Sequence, residues 1–377
     1  MRLSRGHPTW LLYSVFASMA FLLNGLGAVL IPLQRELRVH RADVAFYPTL
    51  FALGLVLVGV TGGALVGRLG RATALRLSIG GMLLGGLLFA VPGRLSTLLG
   101  AIVVGLASAL LIQLLPALMA GFHPGAATAT VGEANGLASA ASVLAPLAVA
   151  TALSTGLGWR IGYLTLPLLA LAAAMVPIWR LAPPAAPVPG RHPTPGTRAP
   201  MLARWVELVL AVSVEFCMVF WAASALADWH HASAGQAAAV ASLFLVGMAT
   251  GRLLAGPVTR RLGGTRALVL ACVAAAGAGF ALFWVGPSLV LSGAGLAVTG
   301  LGVALLYPTT VNRVVGAWPD APDRAAARAA LGSGLAIAAA PFLLGRLSDT
   351  IGLRSAYLIV PALLLLLAIR QSKLRLG

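Results

Sequence analysis

Two carboxylates sit where a carboxylate is costly. In the stretch WVELVLAVSVEFCMVFWAASAL, Glu215 lies near the middle of a long apolar run, and Glu207 precedes it by eight residues. An ionisable group at the centre of a hydrocarbon layer costs about 2.5 to 3.5 kcal/mol on insertion scales, which disfavours a lipid-facing position. On a helix, eight residues separate the two groups by about 12 Å along the axis and about 80° around it. Both can therefore face one cavity, with Glu215 central and Glu207 near its mouth. Apolar surroundings favour the protonated form of a carboxylate. A group of this kind can take a proton from one side and release it to the other, and Glu215 and Glu207 are the candidate proton-coupling residues. Equally, each could be a structural group held by a neighbouring helix. The sequence shows no obvious fixed cation beside Glu215.

The elements that would position these groups are apolar throughout. Of 377 residues, 59% are hydrophobic and 9% charged, and the mean hydropathy is +0.96. A soluble domain of this size does not carry such a composition, so the solvent for most of the chain is lipid. Apolar runs of about 17 to 25 residues read as spans, and twelve are present. The fold class expected is an all-α membrane protein with twelve transmembrane helices in two pseudo-symmetric six-helix bundles. The formal charge of +17 comes largely from arginines in short loops between runs, which is a topology signal and does not point to nucleic acid. Its bias places both termini in the cytoplasm, and the expected location is the cytoplasmic (inner) membrane. Cys217 and Cys272 both lie in apolar runs and offer neither a disulfide framework nor metal-ligand spacing. Asp228, His230 and His231 could ligate a metal, but adjacent histidines in a short loop read as solvated surface.

The chain is also duplicated. GALVGRLGRATALRL from Gly63 matches GPVTRRLGGTRALVL from Gly256, the segment from Gly105 matches that from Gly300, and GWRIGYLTLP from Gly158 matches GLRSAYLIVP from Gly352. The offsets are 193, 195 and 194 residues, the small drift expected from loop-length differences. Repeated halves in a membrane protein point to transport. The expected organisation is a first bundle over residues 1–181, a proline-rich cytoplasmic linker over 182–203 and a second bundle over 204–377.

Twelve spans in two repeats, with G-x-x-x-x-R-x-G-R after the second span, resemble the major facilitator superfamily. Gly63, Arg68, Gly70 and Arg71 match its signature loop, while Gly67 replaces the acidic residue and Ala72 the last basic one. The second copy keeps Gly256, Arg261 and Gly263 but has Arg260 at the acidic position. The resemblance implies that this loop takes part in gating. With its acid missing, a Glu133 pair with Arg252 or Arg261 is the candidate inner gate; a permanent structural pair is the alternative. Independently, the glycines allow a tight turn and the arginines hold it in the headgroup layer.

The resemblance further implies that spans 1, 4, 7 and 10 line a central cavity. Asn24, Gln113, Tyr307 and Asn312 are the polar candidates for solute contact there, and Phe216 and Trp221 offer aromatic surface near Glu215. Taken singly, each amide could be interhelical glue and each aromatic ordinary packing. An arginine in span 4 and the G-P-x-x-G-G turn of antiport exporters are both lacking. No lysine or arginine clamp lies on spans 1, 4 or 7, which disfavours phosphate and dicarboxylate solutes. There is no P-loop for ATP and no cofactor is implied. The expectation is a non-enzymatic, monomeric secondary transporter, a proton-coupled symporter for a small neutral or cationic organic solute such as a sugar. The alternatives are an exporter of amphipathic drug-like compounds and a non-transporting membrane sensor.

Overall fold

The computed structural model describes residues 6–123, 126–181, 198–317 and 322–373. Twelve helices in it are long and apolar enough to cross a membrane. They are α1 His7–Leu37, α2 Arg41–Gly62, α3 Ala64–Ala90, α4 Arg94–Phe122, α5 Ala129–Ser154, α6 Trp159–Arg180, α7 Leu202–His230, α8 Ala234–Leu253, α9 Thr265–Val285, α10 Leu289–Gly316, α11 Ala325–Ile351 and α12 Leu353–Gln371. No strand occurs among the described residues. The protein is an all-α, multi-pass membrane protein, because in lipid only a helix bonds every backbone group within its own segment. Residues 182–197 of the expected linker lie outside the described residues. The helix that follows begins at Arg198, earlier than the apolar pattern suggests, with Pro200 in its first turn, where a missing N–H leaves no bond unmade.

Breaks in the helices have local causes. Gly70 is the one non-helical residue between Phe46 and Ala90, at φ 77 and ψ 157, a backbone state open to glycine and strained for other residues. α10 turns aside at Ala304 and Leu305, and its second part starts at Leu306 with Pro308 in the first turn. α8 is followed by a short helix, Ala255–Leu262.

The chain forms two compact units. One comprises Met1–Leu26 and Leu50–Arg191; the other comprises Gly27–Thr49 and His192–Gly377. The end of α1 and the start of α2 thus group with the second unit. There the Ala42 N–H donates to the Asp349 carboxylate at 3.0 Å, and the Thr49 hydroxyl donates to the Ala338 carbonyl at 2.9 Å.

Duplication in sequence becomes duplication in contacts. In the first unit the Tyr163 hydroxyl donates to the Leu22 carbonyl at 2.6 Å; in the second, Tyr357 donates to the Cys217 carbonyl at 3.3 Å. Arg160 donates to the Phe89 carbonyl at 3.2 Å, and Arg354 to the Trp284 carbonyl at 2.9 Å. Gly105 abuts the Phe51 backbone as Gly300 abuts that of Phe244. Small residues at these crossings let helices approach to backbone contact, the main source of packing energy between spans. Even the strained turns repeat: Arg38 and His231, each just past the first helix of its repeat, have φ 52 and φ 51.

Candidate functional site

α7 is the most enclosed span, with 89% of its apolar window buried. Polar groups on it therefore mostly meet protein. After His230 the chain reverses through residues 231–233 into α8, whose start is fixed by a capping box: the Gln236 N–H donates to the Ser233 hydroxyl at 3.2 Å and the Ser233 N–H to the Gln236 side chain at 3.0 Å. Glu215 precedes His230 by fifteen residues and Arg252 follows Ala234 by eighteen. At 1.5 Å per residue these positions lie about 22 and about 27 Å from the reversal. The hairpin thus brings the two to similar depth.

Arg252 Nη2 stands 3.6 Å from Glu215 Oε1, with the side chains 39% and 11% exposed. This corrects the expectation that Glu215 has no fixed cation nearby. The distance is that of an ion pair, longer than a hydrogen bond. The carboxylate is nearly enclosed, while the Arg252 side chain is partly exposed. Tyr307, carried just beyond the break in α10, is within electrostatic range of both charges. It is 40% exposed, so its ring also borders open space.

Glu207 has different surroundings. It is 1% exposed and its Oε2 lies 2.7 Å from Arg313 Nη1. The same Arg313 nitrogen donates to Gln371 Oε1 at 2.9 Å, and the Arg313 carbonyl accepts from Arg204 at 3.1 Å. The carboxylate meets a guanidinium that the Gln371 amide also holds, and the cluster ties α7, α10 and α12 together.

The remaining expected residues divide between packing and open surface. Asn24 donates to the Ser142 hydroxyl and to the Ala20 carbonyl, both at 3.0 Å, and so joins α1 to α5. Trp221 is fully enclosed and donates to the Pro341 carbonyl at 2.9 Å. Phe216 is buried against Phe220, ring centroids 5.5 Å apart. Gln113, beside Gly62, is exposed, as is Asn312. Glu133 accepts from the Tyr13 hydroxyl at 2.8 Å. Of the loop residues, Arg68 and Arg261 are exposed and Arg71 is half-buried; Gly70 contributes backbone only.

A second polar cluster lies where α1 and α7 end. Arg41 Nη2 is 2.6 Å from Asp228 Oδ1, beside a cavity of about 380 Å³ lined in part by Gln34, Arg35 and Ser224. His230 turns away to the Ser292 hydroxyl at 2.8 Å, so Asp228 and the histidines do not converge, and no metal-ligand group forms among the described residues. Sequence reasoning missed Arg41, Arg313 and Gln371. Arg41 and Arg313 read as loop or headgroup arginines, and only the fold supplies their acids. A signal for Arg313 was available: it follows Asn312 in a span already assigned polar work.

The family model of the Major Facilitator Superfamily matches residues 11–227 and 208–374. None of the curated proteins matches the chain. Among solved structures, the nucleoside transporter NupG is similar at TM-score 0.78 and 13% identity, covering 97% of this chain and 99% of that one. A D-xylose–proton symporter gives TM-score 0.78 at 13% identity, with 96% of each chain covered. A bacterial homologue of the human lysosomal transporter Spinster, inward-facing and unoccupied, gives 0.73 at 14%, with 97% of each covered. At such identities the likeness is one of fold.

Proposed function

Because the chain belongs to the Major Facilitator Superfamily, we propose that it is a proton-coupled secondary transporter that carries a small organic solute by alternating access, with Glu215 as the proton-carrying group. The observation that carries this reading is that Glu215, in the middle of α7, lies 3.6 Å from Arg252 in the last turn of α8, farther than a hydrogen bond. A carboxylate in a short, enclosed pair is held in its charged form; one at this longer distance is held less firmly. Tyr307, Asn312 and Gln113, polar and exposed within spans, supply solute contacts. Arg68, Arg71, Glu133 and Arg261 act in gating at the cytoplasmic ends. The protein sits in the inner membrane as a monomer with both termini in the cytoplasm. Glu207, sealed against Arg313, is assigned a structural role, and Asn24 and Trp221 join it.

The test is reconstitution into vesicles that contain a pH-sensitive dye. Solute added outside in acid buffer drives protons inward through the wild type. Glu215→Gln exchanges labelled solute across the membrane but does not accumulate it. Uphill accumulation by Glu215→Gln equal to that of wild type removes the residue from the proton path.

A further inference from the structure

A polar cavity in the second unit stands apart from the mid-span site. It has a volume of about 380 Å³ and lies where α1 and α7 end and α2 begins. Ile31, Gln34 and Arg35 reach it from one face of α1. Ser224 and Asp228, one turn apart on α7, reach it from another side. Arg41, the first residue of α2, completes the polar lining. The size falls at the lower end of the range for sites that take small organic molecules, about 300 to 1,000 Å³.

The acids around this cavity are engaged in different ways. Asp349 accepts the Ala42 N–H at 3.0 Å and Asp43 accepts the His40 N–H at 3.2 Å. These bonds pin the backbone on both sides of Arg41, and neither acid lines the cavity. Asp228 does line it and pairs with Arg41 at 2.6 Å. Arg35 lines the same space and has no carboxylate partner among the described residues. Two guanidiniums thus share one carboxylate, beside an amide and a hydroxyl. Each guanidinium is a planar fork of donors that matches a carboxylate. The Arg41–Asp228 pair is partly exposed, at 28% and 40%, so it is weak enough for a second carboxylate to displace. With its backbone pinned, Arg41 can change partner without moving the start of α2.

We infer that this cavity is a binding site for a small hydroxy acid, whose carboxylate is held by Arg35 and Arg41 and whose hydroxyls meet Gln34 and Ser224. The ligand and Asp228 compete for one guanidinium, so each weakens the hold of the other to the same extent. The site goes beyond the transport reading. It needs no proton transfer by Glu215, and its failure leaves that reading as it stands.

The experiment is isothermal titration calorimetry on the full-length protein in detergent at constant ionic strength. The probes are gluconate and glycerate as hydroxy acids, acetate as the bare carboxylate and glucose as the neutral polyol. The hydroxy acids should bind at least about tenfold more tightly than acetate or glucose, since each control lacks one part of the recognised chemistry. Arg35→Gln should weaken binding about five- to tenfold, and Arg35→Lys should recover part of the loss. Asp228→Asn should tighten binding about two- to fivefold, because it frees Arg41 from its competitor. These variants should unfold within about two degrees of wild type, as changes at exposed charges do, so a loss of affinity reports a lost contact. Glucose or acetate binding as tightly as the hydroxy acids overturns the inference, as does full affinity in Arg35→Gln or no binding of either acid. Affinity in Asp228→Asn that is no tighter than in wild type also overturns it, since Asp228 would then not be the ligand's competitor.

Discussion

Arg41 and Asp228 form a short ion pair, 2.6 Å between Nη2 and Oδ1, yet both side chains remain partly open, at 28% and 40% exposure. The pair joins the start of α2 to the last turn of α7 at the rim of a polar cavity. Its openness decides its weight. Exposed pairs contribute about 0.2 to 1 kcal/mol, enough to bias a closed arrangement and too little to fix it.

Accordingly, Asp228→Asn should shift unfolding temperature by no more than about two degrees, as expected for a contribution under about 1 kcal/mol. It should raise the labelling rate of a cysteine introduced at Ser224 by about two- to fivefold. Exchanging the charges, Arg41→Asp with Asp228→Arg, should return labelling to the wild-type rate. Equal labelling in all three proteins would show that the pair is ornamental.

The enclosed pair behaves otherwise. Glu207→Gln leaves the partly buried Arg313 without its counter-charge and should destabilise by about 2 to 3 kcal/mol. Thermal unfolding in detergent reads this as a loss of several degrees. Glu207→Leu combined with Arg313→Met removes both charges and should recover most of that loss, since replacing a whole buried pair with apolar groups is often near neutral. If the double variant is as unstable as the single one, the network serves something other than charge compensation.

Tyr163→Phe and Tyr357→Phe should have matching costs, because each removes a buried hydroxyl from a carbonyl of the first helix in its own repeat. About 1 kcal/mol each is expected, and the two should add, as independent distant sites do. Denaturant titration of the single and double variants measures it; a large cost at one tyrosine and none at the other would break the equivalence.

Gly300→Ala should abolish folded protein, since the new methyl would collide with the Phe244 carbonyl, whereas Gly132→Ala meets nothing within 4 Å and should express normally. Size-exclusion chromatography of the two side by side distinguishes packing at the α8–α10 crossing from a general intolerance of glycine replacement.

The twelve spans were legible because a hydrocarbon layer imposes length and apolarity on each span separately, without reference to its neighbours. Glu215 was legible for the same reason: a charge stands out against a uniform background. Its partner was not. Arg252 meets Glu215 only because α7 and α8 run antiparallel through a three-residue reversal, and nothing within either span announces their shared depth. The sequence pattern also grouped Asn24 with Gln113 as polar residues on candidate cavity spans. Which of them bonds a neighbouring helix depends on rotation about the helix axis: Asn24 reaches Ser142, and Gln113 does not lie enclosed in this way. Tyr163 and Tyr357 lay within an aligned motif, but their carbonyl acceptors are more than a hundred residues away and belong to tertiary structure.

The seal around Glu207 bears on energetics far from its own position. A carboxylate enclosed against Arg313 is poorly placed to exchange a proton, which under the proposed function leaves Glu215 as the one proton-carrying acid in the middle of α7. A carrier with a single such group gives up one proton per turnover. Under the proposed coupling, one proton per cycle bounds the pH-derived part of the solute gradient at about tenfold for each pH unit across the membrane.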